Sequence, residues 1–295
     1  MPDVPAHQVP CGSTTPLSAP GWSGSLRKAA LNGSTDPAHS YDFGALHVNE
    51  LSGRIVVLDA AVAPWHQDAA IRQAASELLE LFSTATDPLE LLLSADAHLY
   101  DPSAPRRHDN VIFTAALCDI EWSTGSIRAA IAGDCEVWVR KSGAWMSLAE
   151  QDSLTTAARL HWDARTTTMS HSAQWDLQRE YLDDPALWNR PPLGLGMQRF
   201  ASVALDNQIH AIDGVIVSSD GARLTAQRCE ELDEWISDGL SSIHADPPGP
   251  GHRHPHGDLF VVRFTRDTLP NSVTSTSSPP TDTTATAITF SRDTQ

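Results

Sequence analysis

Short apolar runs, most of them rich in Val, Ile and Leu, recur through the middle of the chain and predict β-strands. Several runs are apolar throughout, which is typical of strands that are buried on both faces. The predicted strands are residues 43–48, 54–59, 111–119, 127–132, 136–140, 201–205, 214–218 and 259–264.

Two stretches have helical rather than strand periodicity. Residues 68–85 place Ile71, Ala75, Leu78 and Phe82 on one helical face, and residues 224–240 have a similar pattern. Residues 148–190 are polar and give no clear prediction. Strands in this order, interrupted by amphipathic helices, favour two stacked sheets flanked by helices.

The two ends of the chain have a different composition. Residues 1–38 and 268–295 are rich in Ser, Thr, Pro and Gly and carry few charges. Such segments bury too little apolar surface to offset the entropy of ordering, so both are predicted to be disordered. This leaves one predicted domain at residues 39–267.

Charge and cysteine usage narrow the function. The chain has 295 residues, with 20 Lys and Arg against 37 Asp and Glu, a net charge of −17, which argues against nucleic-acid binding. Residues 1–26 lack the basic and apolar parts of a secretory signal, and no apolar run is long enough to span a membrane. The four scattered cysteines fit reduced thiols. We therefore expect a cytoplasmic protein with no membrane partner.

Three aspartates follow predicted buried strands. Asp59 ends one strand, Asp134 follows another across Gly133, and Asp220 follows the strand at residues 214–218. A carboxylate at a sheet edge must be solvated, paired or bound to a cation. Several together would suit Mg²⁺ or Mn²⁺ better than Zn²⁺, whereas each one alone fits a turn-capping aspartate.

The segments around these acids resemble one family. IAGDCEVWVRKSG at residues 131–143 resembles the conserved hairpin of the PPM-type (type 2C) metal-dependent serine/threonine protein phosphatases. VIVSSDG at residues 215–221 and VVLD at residues 56–59 are similar to two further segments of that family, in the same order. The resemblance covers roughly residues 33–264. It implies an α+β fold, an α/β/β/α sandwich of two antiparallel sheets flanked by helices.

The resemblance also implies a chemistry and a ligand set. A site of two Mn²⁺ or Mg²⁺ ions would activate water to hydrolyse phosphoserine or phosphothreonine on a protein substrate. Asp59 would bridge the ions at the catalytic centre, the carbonyl of Ala60 and the carboxylate of Asp220 would be further ligands, and Asp134 matches the acid that helps to hold a third ion in bacterial members. The oligomeric state is left open, with a monomer as the expectation.

Three departures from the family pattern leave a second hypothesis open. Ala60 stands where the family has glycine, and Gly257 aligns with another metal ligand, with Asp258 beside it. Asp42 is kept in the early acidic segment, but the sequence offers no Arg beside it to grip phosphate, which leaves His39 as a candidate. The first hypothesis is an active phosphatase; the alternative is a pseudophosphatase, a catalytically impaired binding or regulatory module of the same fold. A structural β-sandwich unrelated to the family is a third interpretation.

Overall fold

The protein contains two antiparallel sheets, eleven strands in all, and three helices in its described part. The computed structural model describes residues 11–12, 14–29, 40–60, 67–84, 86–100, 111–148, 168–170, 173, 176–177, 194–196, 202–219, 222, 224, 226–232 and 259–267. Of the predicted site residues, this part includes Asp59, Ala60 and Asp134. His39, Asp220 and Asp258 lie outside it.

The first sheet has five strands in the order β3-β4-β5-β6-β9. These are β3 (Asp42–Val48), β4 (Ser52–Ala60), β5 (Phe113–Glu121), β6 (Ser126–Ala132) and β9 (Ser202–Ile209). All neighbouring strands are antiparallel. Gly53 allows Trp122 to approach β4 closely, because a Cβ atom at Gly53 would lie 2.2 Å from the Trp122 ring.

The second sheet has six strands in the order β1-β2-β11-β10-β7-β8. These are β1 (Thr14–Ala19), β2 (Trp22–Ala29), β7 (Glu136–Lys141), β8 (Ala144–Ser147), β10 (Gly214–Ser218) and β11 (Leu259–Arg266). Every pair is antiparallel. The hairpin β7-β8 turns through Ser142 and Gly143, both with positive φ, which suits a two-residue turn.

The inner faces of the two sheets form the central core. Alternate residues of each strand point inward, since side-chain direction repeats every two residues. Buried members of this core include Leu26, Ile55, Val57, Val137, Val217 and Phe260. Trp22 packs on Trp122 there, with ring centroids 5.8 Å apart, and its indole N–H donates to the Trp122 carbonyl oxygen at 2.9 Å.

Helices cover the outer faces. Helices α1 (Asp68–Phe82) and α2 (Pro88–Leu99) bury Ile71, Leu78 and Leu92 against the five-stranded sheet. The short helix α3 (Ala226–Glu230) buries Cys229 against the outer face of the six-stranded sheet. Successive layers are therefore helix, sheet, sheet and helix, which confirms the predicted α/β/β/α sandwich. No helix in the described ranges is long and apolar enough to cross a membrane.

The eight predicted strands are present, with ends that differ by up to four residues. Helix α1 is also confirmed, and α3 occupies five residues within the stretch 224–240, of which residues 233–240 lie outside the described part. The sequence analysis missed β8 and α2. It also placed residues 1–38 outside the domain, whereas β1 and β2 form part of the six-stranded sheet. The tail at residues 268–295 lies outside the described residues.

Candidate functional site

Two carboxylates lie side by side at one end of the five-stranded sheet. Asp42 begins β3 and is directly opposite Asp59, near the end of β4. The Ala60 N–H donates to the Tyr41 carbonyl oxygen at 3.2 Å, which makes Asp42 and Asp59 the adjacent, non-hydrogen-bonded pair. Side chains of such pairs are close and point to the same face of the sheet. That face is the inner one, because Val57 and Leu46 on the same strand faces belong to the central core.

The next strand extends this row. Thr114 of β5 is opposite Asp59, so Asp42, Asp59 and Thr114 form a polar row across three strands. Asp42 and Thr114 are buried, and Asp59 is half-buried. The middle parts of β3, β4 and β5 are apolar and pair in register. The polar residues of the three strands therefore lie together at the strand ends.

The six-stranded sheet presents a second row that faces the first. Its members are Lys28 of β2, Phe260 of β11, Ser219 after β10 and Cys135 before β7. Lys28 is opposite Phe260, and the Ser219 N–H donates to the Phe260 carbonyl oxygen at 3.0 Å. Ser219 and Cys135 each lie one residue beyond the pair Ser218 and Glu136. Apart from Lys28, this row is uncharged.

Hydrogen bonds join the two rows. The Ser219 hydroxyl donates to Asp42 Oδ2 at 2.6 Å and accepts the Phe260 N–H at 3.0 Å. The Thr114 hydroxyl lies 3.4 Å from the Cys135 sulfur, within hydrogen-bond range for sulfur. Ser219 thus fixes the end of β10 against the start of β3, so the two sheets are tied together at this end.

Asp134 reaches the same end from a tight turn. Gly133 precedes it with φ of 84°, a conformation that favours glycine, and the turn connects β6 to β7. Burial raises the pKa of the Cys135 thiol well above its usual value, and the carboxylates of Asp59, Asp134 and Asp42 raise it further. All three carboxylates are therefore within electrostatic range of one sulfur atom. We call these residues, Asp42, Asp59 and Asp134, the acidic end.

The segment around Asp220 is held on both sides. Ser219 precedes Asp220 and is fully buried. The Ala222 N–H donates to the Ser219 carbonyl oxygen at 3.3 Å, and the Leu224 N–H donates to Glu136 Oε2 at 3.0 Å. Ser219, the residue before position 220, is therefore bonded to the acidic end, whereas Ala222 and Leu224 pack on the outer face of the six-stranded sheet.

The chemistry of the described donors suits a hard divalent cation. Carboxylate oxygens are the usual ligands of Mg²⁺ and Mn²⁺, whereas the Cys135 thiol is kept protonated and is a poor ligand. Among the described residues, no group of three or more His, Cys, Asp or Glu side chains is arranged closely enough to hold a metal ion.

Sequence reasoning missed Lys28. The residue is 1% exposed and its Nζ lies 5.6 Å from the centroid of the Phe43 ring, next in sequence to Asp42. The sequence analysis saw no cation near Asp42 because Lys28 is distant in sequence and sits in a segment predicted to be disordered. The alternation of inward residues along β2, Trp22, Leu26 and then Lys28, was the available signal.

Comparisons with known proteins agree with this architecture. A bacterial serine phosphatase of known crystal structure is similar to this chain with a TM-score of 0.55 and 14% identity, over 85% of this chain and 99% of that one. The serine/threonine phosphatase Stp1 from Staphylococcus aureus is similar with a TM-score of 0.52 and 13% identity, over 82% and 94% of the two chains. No protein-family model and no curated protein sequence matches the chain. The fold is therefore that of the PPM-type phosphatases, as the sequence motifs predicted.

Proposed function

We propose that the chain hydrolyses phosphoserine and phosphothreonine on proteins, with Mn²⁺ or Mg²⁺ held at the acidic end. The supporting observation is that Asp42 and Asp59 lie opposite each other at one end of a phosphatase-like sandwich, with Asp134 near enough for its charge to raise the pKa of the same thiol, that of Cys135. The structural neighbours include bacterial serine and serine/threonine phosphatases. Their identity to this chain is low, so activity depends on the residues of the site itself.

The roles proposed for the acids follow from their positions. Asp59, half-buried between Asp42 and Thr114, is the central ligand, and Asp134 approaches from the turn after β6. Asp220 and Asp258 are proposed to complete the donor set from the ends of β10 and β11. The chemistry that the cations supply, when bound, is Lewis-acid activation of a water molecule for attack on the phosphorus atom. His39 remains the candidate for contact with the substrate phosphate.

Ala60 is compatible with a ligand role for its carbonyl. It is the last residue of β4 and is not among the described residues with positive φ. The replacement of glycine therefore introduces no backbone strain at this position. The side chain is 7% exposed and packs in the outer core, under the helices, so it does not crowd the acidic end.

The test compares two double variants. Purified wild-type protein with Mn²⁺ should release phosphate from a phosphothreonine peptide, and the variant with Asp59→Asn and Asp220→Asn should lose at least a hundredfold in kcat/KM. The matched control carries Glu80→Gln and Glu90→Gln, which neutralise two exposed carboxylates on α1 and α2. It should keep wild-type activity. Absence of turnover in the wild-type protein over a range of phosphopeptides would refute the enzymatic proposal.

The alternative, a pseudophosphatase, is favoured by one observation. Lys28 places a buried positive charge opposite the carboxylate row, where an active site would need its negative charge for cations. Under this alternative, the acidic end binds a phosphoprotein or a regulator without hydrolysis. Binding of the phosphothreonine peptide with micromolar affinity, and no phosphate release with Mn²⁺ or Mg²⁺, would support it.

A further inference from the structure

Lys28 is a lysine buried on the inner face of the six-stranded sheet, beside the central core. Lysine is almost never fully buried without a compensating negative charge, because removal of an ammonium group from water is costly. At 1% exposure, Lys28 is among the largest fully buried side chains of the protein, together with Trp22 and Trp122. A lysine buried this deeply therefore calls for carboxylates nearby, and the acidic end lies at the same end of the sandwich.

The pairing of β2 with β11 shows at which end of the sandwich the Lys28 side chain lies. Lys28 is opposite Phe260, whose ring fills the space above Gly44, since a Cβ atom at Gly44 would lie 2.4 Å from the Phe260 ring. Gly44 is two residues after Asp42 on the same inward face of β3. Lys28 thus lies one strand away from the Phe260 N–H, which donates to the Ser219 hydroxyl that binds Asp42. Its Nζ lies 5.6 Å from the centroid of the Phe43 ring, next in sequence to Asp42.

We propose that Lys28 is a built-in cation of the acidic end, which offsets its negative charge and lowers its affinity for divalent cations. The ammonium group keeps the carboxylate row compact when no metal is bound, and it competes electrostatically with an incoming cation. This inference shares one assumption with the proposed function, namely that the acidic end binds Mn²⁺ or Mg²⁺. It does not require that the bound cation supports hydrolysis. It makes Lys28 a positioning residue that sets metal affinity, and not a group that touches the substrate.

The sequence offers a close control for the test. Lys28 and Lys141 are the two lysines of the chain, and Lys141 is exposed at the end of β7, before the β7-β8 turn. Lys28→Met removes the buried charge at similar volume, Lys28→Arg keeps a charge at that position, and Lys141→Met removes a charge at the surface. Isothermal titration with MnCl₂ measures affinity and stoichiometry without substrate, so the result does not depend on phosphatase activity.

The expected result is a tighter Mn²⁺ complex for Lys28→Met, on the order of 10- to 100-fold, from Coulomb interactions at an effective dielectric of about 20. Lys28→Arg and Lys141→Met should bind Mn²⁺ as the wild-type protein does. If Lys28→Met unfolds without metal, added Mn²⁺ should restore its circular dichroism spectrum.

Two outcomes would overturn the proposal. The first is a folded Lys28→Met variant whose Mn²⁺ affinity equals that of the wild-type protein, including the case in which neither binds. The second is an unfolded Lys28→Met variant that Mn²⁺ does not restore while Lys28→Arg folds normally. A tighter Mn²⁺ complex together with absent turnover in the wild-type protein would retain this inference and reject the proposed hydrolase.

Discussion

Replacement of Ser219 by alanine should strongly lower the stability of the folded protein, because the Ser219 hydroxyl makes two buried hydrogen bonds. The bond to the ionised Asp42, at 2.6 Å, is of a kind that contributes about 1.5 to 3 kcal/mol. Loss of the acceptor also leaves the Phe260 N–H without its 3.0 Å bond, which costs about 1 to 3 kcal/mol at a buried site. We expect the free energy of unfolding to fall by about 3 to 5 kcal/mol and the Tm by roughly 10 °C.

The neighbouring residue provides the control. Ser218 is as fully buried as Ser219, but its hydroxyl makes no hydrogen bond with the described part of the chain. Ser218→Ala should therefore be neutral, or stabilising by up to about 1 kcal/mol, since it removes a buried polar group that lacks a partner. Equilibrium urea unfolding at pH 7, followed by tryptophan fluorescence, measures both. Equal losses in the two variants would refute the hydrogen-bond argument and point to packing as the cause.

Three further predictions concern the turn, the outer face of the five-stranded sheet and the buried thiols. Gly133→Ala should lower stability by about 1 to 2 kcal/mol in urea unfolding, because Gly133 has φ of 84°. Arg54→Lys should cost about 2 kcal/mol although it keeps the charge, since the Arg54 guanidinium binds both oxygens of Asp119 at 2.6 Å. Urea midpoints of this variant and of Asp119→Asn should fall together. Burial, followed by the Asp119 charge, raises the pKa of Cys118, so the folded state retains a proton that the unfolded state loses above about pH 8.5. Stability should therefore fall as pH rises from 9 to 11, by about 1.4 kcal/mol per unit for this thiol, and Cys118→Ala should show a shallower fall.

The sequence predicted elements well where burial and periodicity agree. Strand β10 has the predicted bounds because Val215, Ile216 and Val217 are apolar on both faces and packed on both sides. Strands β1 and β2 were missed because their Ser, Thr, Gly and Pro content is also typical of disordered segments. β2 is held by pairing with β11, a contact between distant parts of the chain, and β1 pairs with β2.

Helix α2 was missed for a different reason. Its sequence is apolar on most sides, including the exposed Leu93, so it lacks a clear amphipathic stripe. The sequence does mark the start of this helix, because Asp87 accepts the Leu89 N–H at 2.9 Å and Pro88 occupies the first turn. Capping residues of this kind mark the N-terminus of a helix in the absence of periodicity.

The candidate site could be predicted in part. Asp59 and Asp134 were predicted because their motifs combine an apolar strand with a terminal acid, and the charges of both raise the pKa of the Cys135 thiol. Their roles as metal ligands stay predictions. The bonding of Ser219 to Asp42 joins residues 177 positions apart, and local pattern carries no information on such contacts. Lys28 was overlooked for a different reason, because it lies in a segment that was predicted to be disordered and because lysine is normally a surface residue.

The position of β11 has a consequence for biosynthesis. This strand, at Leu259–Arg266, inserts between β2 and β10, and so it separates the earliest strands from the rest of the six-stranded sheet. During translation, the first hairpin must wait until more than 220 further residues have been made before its permanent neighbour emerges from the ribosome. Until then the edge of β2 is open to pairing with other nascent chains. Chaperone dependence during expression, and loss of yield in truncations that end before β11, are the expected results of this chain order.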